Sequence, residues 1–267
     1  MLYNQLLYTA VKAAFRAGNE IMDVYRTADF GVETKDDNSP LTRADKAADK
    51  VIKDLLDDTG IPVLSEEGKA IAYEERKQWQ KFWLVDPLDG TKEFIKRNGE
   101  FTVNIALVEG GRPVAGVIFV PATKEIYFAS EFVGSRKIEG YHKEIILDQM
   151  IHESKELPLV KGRNVYTAVA SRSHMSPETE AFIDKKKEEH GDLEIISRGS
   201  SLKLCMVAEG KADIYPRFAP TMEWDTAAGH AIAAISGATV INHETGEPLK
   251  YNKENLLNPW FVVERKR

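Results

Sequence analysis

Three consecutive β-rich segments near the middle of the chain constrain its fold more than any other feature. FTVNIALV, PVAGVIFV and EIYFAS are rich in β-branched and aromatic residues, and only the short turns EGGR and PATK separate them. Strands joined by such short, turn-forming connections pair as an antiparallel meander. The sequence therefore predicts an antiparallel sheet that begins near Phe101.

Downstream of the meander, strand-like and helix-like segments alternate. NVYTAVAS, LEIIS, ADIYP and GATVIN read as strands, whereas PETEAFIDKKKEE, SSLKLCMVAEG and DTAAGHAIAAIS read as helices. Upstream of it, residues 6–24 and 47–55 carry apolar positions at helical spacing, and Thr42 is the expected N-cap of the second helix. This order predicts layered sheets and helices in two fused halves, residues 1–136 and 137–267.

Composition and charge place the chain among ordinary soluble globular proteins. Of its 267 residues 43% are hydrophobic and 29% are charged, and the net charge of -6 argues against a broad nucleic-acid-binding surface. No segment approaches the roughly 18 consecutive apolar residues of a membrane span. The single cysteine, Cys205, excludes an internal disulfide. We expect a cytoplasmic protein; peripheral attachment to the inner membrane and the oligomeric state stay open.

The segment WLVDPLDGTKEF places two carboxylates at the end of a predicted strand. Asp86 and Asp89 stand on either side of a rigid proline. If their carboxylates lie about 5 Å apart, they repel each other by roughly 3 kcal/mol at an effective dielectric constant of about 20. Such a pair fits Mg²⁺ or Mn²⁺, which prefer oxygen ligands. The structural alternative is that Asp89 caps a helix starting at Gly90.

Two further acidic sites follow the same logic. Glu66 and Glu67 come directly after the short strand IPVLS, and Asp225 stands at the start of the helix DTAAGHAIAAIS. Each alone is typical of a helix cap or a solvated surface charge. Acids at three such positions in one chain make a shared metal cluster the expectation, although spacing alone does not show that they converge.

Several segments are suited to bind phosphate. The Gly90-Thr91 pair opens a predicted helix, whose free amides favour an anion. RGSSLK, residues 198–203, also precedes a helix and carries Lys203, while ASRSH ends one strand and Arg217 ends another. Together with oxygen ligands for Mg²⁺, these segments indicate metal-assisted phosphate chemistry.

Each of these segments also has an ordinary structural alternative. The serines of RGSSLK could simply cap their helix, and His174 in ASRSH could be a structural histidine. Arg172 and Arg217 could be plain surface charges. These alternatives stay open from the residues alone.

DPLDGT together with WDTAAG resembles the paired signatures of the lithium-sensitive, magnesium-dependent inositol monophosphatase superfamily. The resemblance covers essentially the whole chain, including VLSEE and the helix that contains Asp45. Within that superfamily the chain is similar to bacterial 3′(2′),5′-bisphosphate nucleotidases of the CysQ type. That similarity rests on KEFIKRNGEFTVNIAL, SRSH, GSSLK, AEGKADIYPR and WDTAAGHA. Inositol phosphatases usually read TNF-like after DGT.

The resemblance implies an α+β / α/β fold, a layered αβαβα sandwich, and a reaction. The reaction is hydrolysis of the 3′-phosphate of 3′-phosphoadenosine 5′-phosphate, which gives AMP and phosphate. The implied cofactors are two or three Mg²⁺ ions, with Mn²⁺ as a substitute and Li⁺ as an inhibitor. The implied metal ligands are Glu66, Asp86, Asp89, Asp225 and the backbone carbonyl of Leu88.

The resemblance also implies roles in catalysis and substrate binding. Thr91 would orient the attacking water with Asp45 as its acidic partner, so that no phosphoenzyme forms. Because Asp45 lies three residues after Thr42, a pure capping role for it stays open. The implied substrate contacts are Gly90, Thr91, Ser171, His174, Ser200, Lys203 and Arg217.

Two competing interpretations remain at this point. An inositol or sugar phosphate phosphatase would share the fold and the metals, but SRSH, GSSLK and Arg217 suit a larger ligand with a second phosphate. A non-catalytic, metal-dependent sensor is the other, and the complete set of metal carboxylates together with Thr91 argues against it.

Overall fold

A computed structural model describes residues 3–35, 40–170 and 175–266. Its helices are α1 (Tyr3–Tyr25), α2 (Arg43–Asp57), α3 (Tyr73–Arg76), α4 (Thr91–Ile95), α5 (Leu147–Glu153), α6 (Pro177–His190), α7 (Leu202–Ala208) and α8 (Glu223–Ile235). Its strands are β1 (Glu33–Thr34), β2 (Pro40–Leu41), β3 (Val63–Ser65), β4 (Lys81–Asp89), β5 (Thr102–Glu109), β6 (Arg112–Val120), β7 (Glu125–Ser130), β8 (Gly134–Ile138), β9 (Lys155–Glu156), β10 (Tyr166–Ala170), β11 (Leu193–Ser197), β12 (Ile214–Arg217), β13 (Thr239–Asn242) and β14 (Phe261–Glu264).

The larger sheet has seven strands in the order β3-β4-β5-β6-β7-β8-β9. β3 and β4 run parallel, and every other neighbouring pair in this sheet is antiparallel. The predicted meander is confirmed as β5, β6 and β7. The residues of these strands are buried almost continuously, on both faces, because helices cover both sides of the sheet.

The smaller sheet has five strands in the order β11-β10-β12-β14-β13. β10 pairs in parallel with both β11 and β12, and β14 pairs antiparallel with β12 and β13. The carboxyl ends of β10 and β12 therefore point to the same edge of this sheet. The predicted alternation of strands and helices after the meander is confirmed.

Helices and sheets stack in five layers. α1 and α2 pack on one face of the seven-stranded sheet, and α7 and α8 lie between that sheet and the five-stranded one. α6 covers the outer face of the five-stranded sheet through Ile183, which packs with Ile214 and Val262. The layers thus follow the expected order αβαβα.

A close approach between β6 and α8 explains the small residues of α8. A Cβ atom at Gly116 in β6 would lie 2.4 Å from the carbonyl oxygen of Ala228 and 3.0 Å from the Cβ of Ala231. Glycine on the strand and alanines on the helix therefore allow α8 to lie directly on the sheet. This packing fixes the position of the first turn of α8 relative to the larger sheet.

The chain segment that connects the meander to the first strand of the smaller sheet has the weakest sequence pattern. It contains β8, α5 and β9, which extend the seven-stranded sheet beyond the meander. The division of the chain into residues 1–136 and 137–267 stays a prediction. In the portion of the chain that the structure describes, every helix is too short or too polar to cross a bilayer.

Candidate active site

Three carboxylates from distant parts of the chain meet at one end of the larger sheet. Glu66 follows β3, Asp86 lies within β4, and Asp225 is the third residue of α8. One carboxylate oxygen of each lies within 4.8 Å of those of the other two. The parallel pairing of β3 and β4 brings the first two together, and the packing of α8 on the sheet adds the third.

Asp89 joins this group because β4 is irregular at its end. Asp86 pairs with Asn104 and Asp89 pairs with Thr102, so that β4 has one more residue than β5 between the two pairs. Pro87 lies in this bulge, where a residue without a backbone N–H disturbs the ladder least. The bulge allows both aspartates to serve the same site.

The carboxylates perturb one another strongly. Burial raises the pKa of Asp86 well above its ordinary value, and the neighbouring carboxylates, Glu66 foremost, raise it further. Burial likewise raises the pKa of Asp225 well above its ordinary value, with Asp89 as the next cause. Such shifts mean that the group holds more negative charge than its protein surroundings neutralise. A hard divalent cation would satisfy this oxygen-only donor set.

Each aspartate uses one oxygen to fix its own position. Oδ1 of Asp86 accepts the Leu88 N–H at 3.0 Å, and Oδ2 of Asp225 accepts the Met222 N–H at 2.8 Å. Oδ2 of Asp89 accepts the Ser201 N–H at 2.6 Å. Among the described residues, no donor bonds the second oxygen of these three side chains. The second oxygens are therefore the ones that can bind a cation.

Asp45 combines the two roles that the sequence left as alternatives. Its Oδ2 accepts the Thr42 N–H at 2.7 Å and the Thr42 hydroxyl at 2.6 Å, which completes a capping box at α2. Its Oδ1 accepts the Thr91 hydroxyl at 3.2 Å. The same hydroxyl lies 3.3 Å from the carbonyl oxygen of Leu88. Burial raises the pKa of Asp45, and the hydrogen bonds from Thr42 and Thr91 oppose that shift.

The alternative in which Asp89 caps the next helix is wrong. Asp89 is the last residue of β4, and Gly90 is the N-cap of α4, with no side-chain capping bond. Gly90 has φ 91°, a left-handed conformation that favours glycine. A Cβ atom at this position would lie 3.0 Å from the carbonyl oxygen of Glu100 and 3.4 Å from the Cβ of Ser200. Glycine is therefore required where the two segments meet.

The segment 198–203 reaches the acids from the opposite half of the chain. Ser200 donates its hydroxyl to Oδ2 of Asp89 at 2.6 Å. Lys203 is 6% exposed, and its Nζ donates to the carbonyl oxygen of Ser200 at 2.7 Å. Burial lowers the pKa of Lys203 to about 8. Simple serine capping is excluded, because neither Ser200 nor Ser201 makes a side-chain capping bond to α7.

Cationic and anionic groups share one cleft. The lining of a cavity of about 130 Å³ includes Asp89, Asp225, Lys203 and Arg217. Arg217 donates to the Pro220 carbonyl oxygen at 3.0 Å, whereas its Nε is buried without a hydrogen-bond partner among the described residues. Of the predicted contacts, Ser171 and His174 lie outside the described residues.

Three residues at the site were not anticipated from the sequence. Lys35 donates to Glu66 at 2.8 Å and also bonds Glu67, so it supplies part of the missing positive charge. A lone lysine after a short strand carries no recognisable signal. Thr102 and Asn104 are buried beside Asp89. Two polar residues on one face of the otherwise apolar segment FTVNIALV were a usable signal.

The comparisons with known proteins agree with this geometry. The sequence model of the inositol monophosphatase family matches residues 2–261. The chain is 46% identical over 262 residues to 3′(2′),5′-bisphosphate nucleotidase CysQ from Escherichia coli K12, with 97% of this chain and 99% of that protein covered. The chain belongs to the inositol monophosphatase family. It is thus an enzyme of a phosphatase family, and the resemblance to the CysQ type is confirmed.

Solved structures support the same family. The crystal structure of CysQ from Bacteroides thetaiotaomicron superposes with a TM-score of 0.92 at 55% identity and covers 99% of this chain and 98% of that one. The extragenic suppressor protein suhB from Bartonella henselae superposes with a TM-score of 0.74 at 24% identity, over 98% of this chain and 94% of its own. At that identity the second likeness concerns the fold alone.

Proposed function

We propose that the chain is a magnesium-dependent phosphatase that removes the 3′-phosphate of 3′-phosphoadenosine 5′-phosphate and releases AMP and phosphate. The observation that carries the proposal is the composition of the cleft, whose lining combines metal-type carboxylates with the buried Lys203 and the half-buried Arg217. The carboxylates would hold the metal ions that bind the phosphate to be cleaved. The cationic side chains, Lys203 and Arg217, would bind a second phosphate, which an inositol monophosphate does not have. The nucleotidase names of the similar chains point to the same substrate.

The donor set fits a hard divalent cation. Glu66, Asp86 and Asp225 offer oxygens within 4.8 Å of one another, and Asp89 would add a fourth carboxylate. The Leu88 carbonyl oxygen, 3.3 Å from the Thr91 hydroxyl, would be the fifth ligand. When bound, Mg²⁺ would stabilise charge on the phosphoryl group and activate water for attack. We assign these five residues as the metal ligands. Mn²⁺ is expected to replace Mg²⁺, and Li⁺ to inhibit.

Thr91 and Asp45 are proposed to position the attacking water. Because the Thr91 hydroxyl donates its single proton to Asp45 or to the Leu88 carbonyl, its oxygen lone pairs are left to accept a hydrogen bond from water. Asp45 is held by the capping box at α2, so this hydroxyl has a rigid partner. The water is thereby oriented with a lone pair directed at phosphorus. No covalent phosphoenzyme is required.

The opposite side of the cleft is proposed to hold the nucleotide. Lys203 and Arg217 would bind the 5′-phosphate, with the Ser200 hydroxyl beside them. The backbone amides of Gly90 and Thr91 would contact the phosphate that leaves. Ser171 and His174 complete the set of nucleotide contacts that the sequence predicts.

Substrate choice tests the proposal directly. Phosphate release is measured for 3′-phosphoadenosine 5′-phosphate, inositol 1-phosphate and fructose 1,6-bisphosphate, first with Mg²⁺ and then with added Li⁺. We expect strong preference for the nucleotide and inhibition by Li⁺. Preference for either of the other substrates would assign the enzyme to sugar or inositol phosphates. No release from any of them would favour a ligand sensor.

The role of the cations is tested by Lys203→Met, compared with Lys211→Met at a lysine that is largely exposed beside Glu209. Loss of one charged hydrogen bond to phosphate costs about 1.5 to 3 kcal/mol, or about 10- to 100-fold in kcat/KM. We expect this loss for 3′-phosphoadenosine 5′-phosphate and a smaller loss for 3′-AMP, which lacks the 5′-phosphate but still depends on the Ser200 carbonyl that Lys203 holds. Equal losses on both substrates would refute a specific 5′-phosphate contact.

A further inference from the structure

Two polar side chains are buried in β5, an otherwise largely apolar strand of the larger sheet. Thr102 and Asn104 are 0% and 1% exposed, and they lie on the same face of β5. Buried polar groups are costly unless they are hydrogen-bonded, so their partners indicate why the chain keeps them there. All of those partners belong to the candidate site.

Thr102 is the centre of this group. Its Oγ1 lies 2.9 Å from the Ser200 Oγ and 2.8 Å from the Ser201 Oγ. Asn104 Oδ1 accepts the Ser201 hydroxyl at 2.9 Å and lies 3.0 Å from the Thr102 Oγ1, whose single proton serves only one of its contacts. Because Ser200 donates its one proton to Asp89, it accepts in its contact with Thr102. The strand therefore holds both serines by their side chains.

Both serines in turn hold Asp89. Oδ2 of Asp89 accepts the Ser200 hydroxyl and the Ser201 N–H, each at 2.6 Å, and Asn104 Nδ2 lies 3.4 Å from the same oxygen. The other oxygen, Oδ1, accepts no hydrogen bond from the described residues and would be the one to bind a cation. A movement of either serine therefore rotates the carboxylate and re-aims Oδ1.

The serine segment is held in an unfavourable backbone conformation. Ser200 has φ 55°, which lies in the left-handed region that residues with a Cβ atom rarely adopt. Such a conformation persists only where surrounding contacts enforce it. The bonds to Thr102 and Asp89 supply them, and Lys203 adds a bond to the Ser200 carbonyl oxygen.

We propose that Thr102 is a positioning residue that couples cation binding at Asp89 to nucleotide binding at residues 199–203. This inference rests on the proposed function and deepens it. Thr102 contacts neither ligand; it acts through Ser200 and Ser201. A cation that fixes Asp89 also fixes the serine segment, and a nucleotide phosphate that fixes the segment also fixes Asp89. The effect is reciprocal, as coupling between two binding equilibria must be.

AMP is the probe that isolates this coupling. AMP carries the 5′-phosphate but lacks the 3′-phosphate, which would itself bridge to bound cations. Once the Mn²⁺–AMP complex that forms in solution is measured in a protein-free titration and subtracted, the remaining effect of the cation on AMP affinity reports coupling through the protein. Calorimetric titrations measure Mn²⁺ binding alone, AMP binding alone, and AMP binding in saturating Mn²⁺.

Mn²⁺ and AMP binding are compared between the wild type and three variants. Thr102→Val removes the hydroxyl while keeping the volume, Thr102→Ser restores it, and Thr167→Val is the control at a buried threonine of β10 whose hydroxyl bonds Arg163. Loss of a group that orients a metal ligand typically lowers metal affinity about 10- to 100-fold. We expect that loss for Thr102→Val, together with an AMP affinity that no longer responds to Mn²⁺. Thr102→Ser and Thr167→Val are expected to behave like the wild type.

The outcomes separate this inference from the proposed function. Unchanged Mn²⁺ affinity and unchanged coupling in a folded Thr102→Val variant would overturn the inference, even if the variant were less stable. A wild-type protein that binds no divalent cation would overturn the proposed function instead. If Thr102→Val does not fold, Ser201→Ala removes one of the same links and keeps the Ser201 N–H. It is expected to show a smaller loss of the same two properties, and wild-type behaviour would again overturn the inference.

Discussion

Replacement of Asp86 by asparagine is expected to stabilise the metal-free protein while it abolishes metal binding. Asp86 is 1% exposed, and its carboxylate lies within 4.8 Å of those of Glu66 and Asp225. Asparagine keeps the oxygen that accepts the Leu88 N–H, so the local backbone retains its bond. The change therefore removes a charge and little else.

The magnitude follows from the same geometry. Two unit charges 4.8 Å apart repel by about 3.5 kcal/mol at an effective dielectric constant of about 20. Lys35 beside Glu66 offsets part of this repulsion, as does protonation of Asp86 itself. We expect a net gain of about 1 to 3 kcal/mol in the free energy of unfolding, or about 2 to 5 °C in Tm for a chain of this size.

The gain should depend on pH in a defined direction. Burial and the neighbouring carboxylates raise the pKa of Asp86 in the folded state, whereas in the unfolded state it is about 3.9. Between these two values the folded protein binds more protons, so the stability of the wild type falls as the pH rises. The asparagine variant lacks this contribution. The difference in Tm between the two proteins is therefore expected to widen as the pH rises from 5 toward the raised pKa.

The assay is thermal unfolding in EDTA and in Mg²⁺, with Asp54→Asn as the control at an exposed aspartate of α2. In EDTA we expect a higher Tm for Asp86→Asn than for the wild type. In Mg²⁺ we expect the wild type to gain stability by ligand linkage and the variant to gain none. A variant that is no more stable than the wild type in EDTA would refute the electrostatic reasoning. A variant that still gains stability with Mg²⁺ would refute the assignment of Asp86 as a ligand.

Two further substitutions test the surroundings of the acids. Asp45→Asn keeps an oxygen for the capping box of α2, so we expect loss of phosphate release with a change in stability below about 1 kcal/mol. Asp45→Ala should lose phosphate release and also about 1 to 2 kcal/mol of stability. Equal activity of the asparagine variant and the wild type would refute a role beyond capping. Gly90→Ala should lower Tm more than Gly140→Ala, since both have positive φ but only the Cβ at position 90 meets neighbouring atoms. Equal shifts in these two melting curves would show that the close approach at Gly90 is unimportant.

Local sequence patterns predicted the elements of the fold because their causes are local. Alternating β-branched residues around Val103 predicted β5, and Thr42 followed by Asp45 predicted the start of α2. The strands in the segment that connects the meander to the smaller sheet were not predicted. The reason is that β8 and β9 are short and polar and form only against an existing sheet edge. Their formation depends on tertiary contacts that no window of sequence contains.

The candidate site was only partly accessible for the same reason. The sequence identified the acids, but their meeting depends on the parallel pairing of β3 with β4 and on how closely α8 lies against β6. Lys35 could not be found, because nothing near it in the chain indicates that it reaches Glu66. Thr102 and Asn104 were missed although polar residues in an apolar strand are a usable signal, and their partners in the segment 198–203 could not be predicted from spacing.

At this site one carboxylate can both cap a helix and serve the reaction. Asp45 and Asp225 are each the third residue of a helix, and each accepts the N–H of its own N-cap residue through Oδ2. A carboxylate has two oxygens, so the bond that begins the helix also orients the other oxygen toward the site. An alanine at either position would therefore disturb the helix start and the site together. An asparagine would preserve the helix start and remove the charge, which is why asparagine variants separate function from folding here.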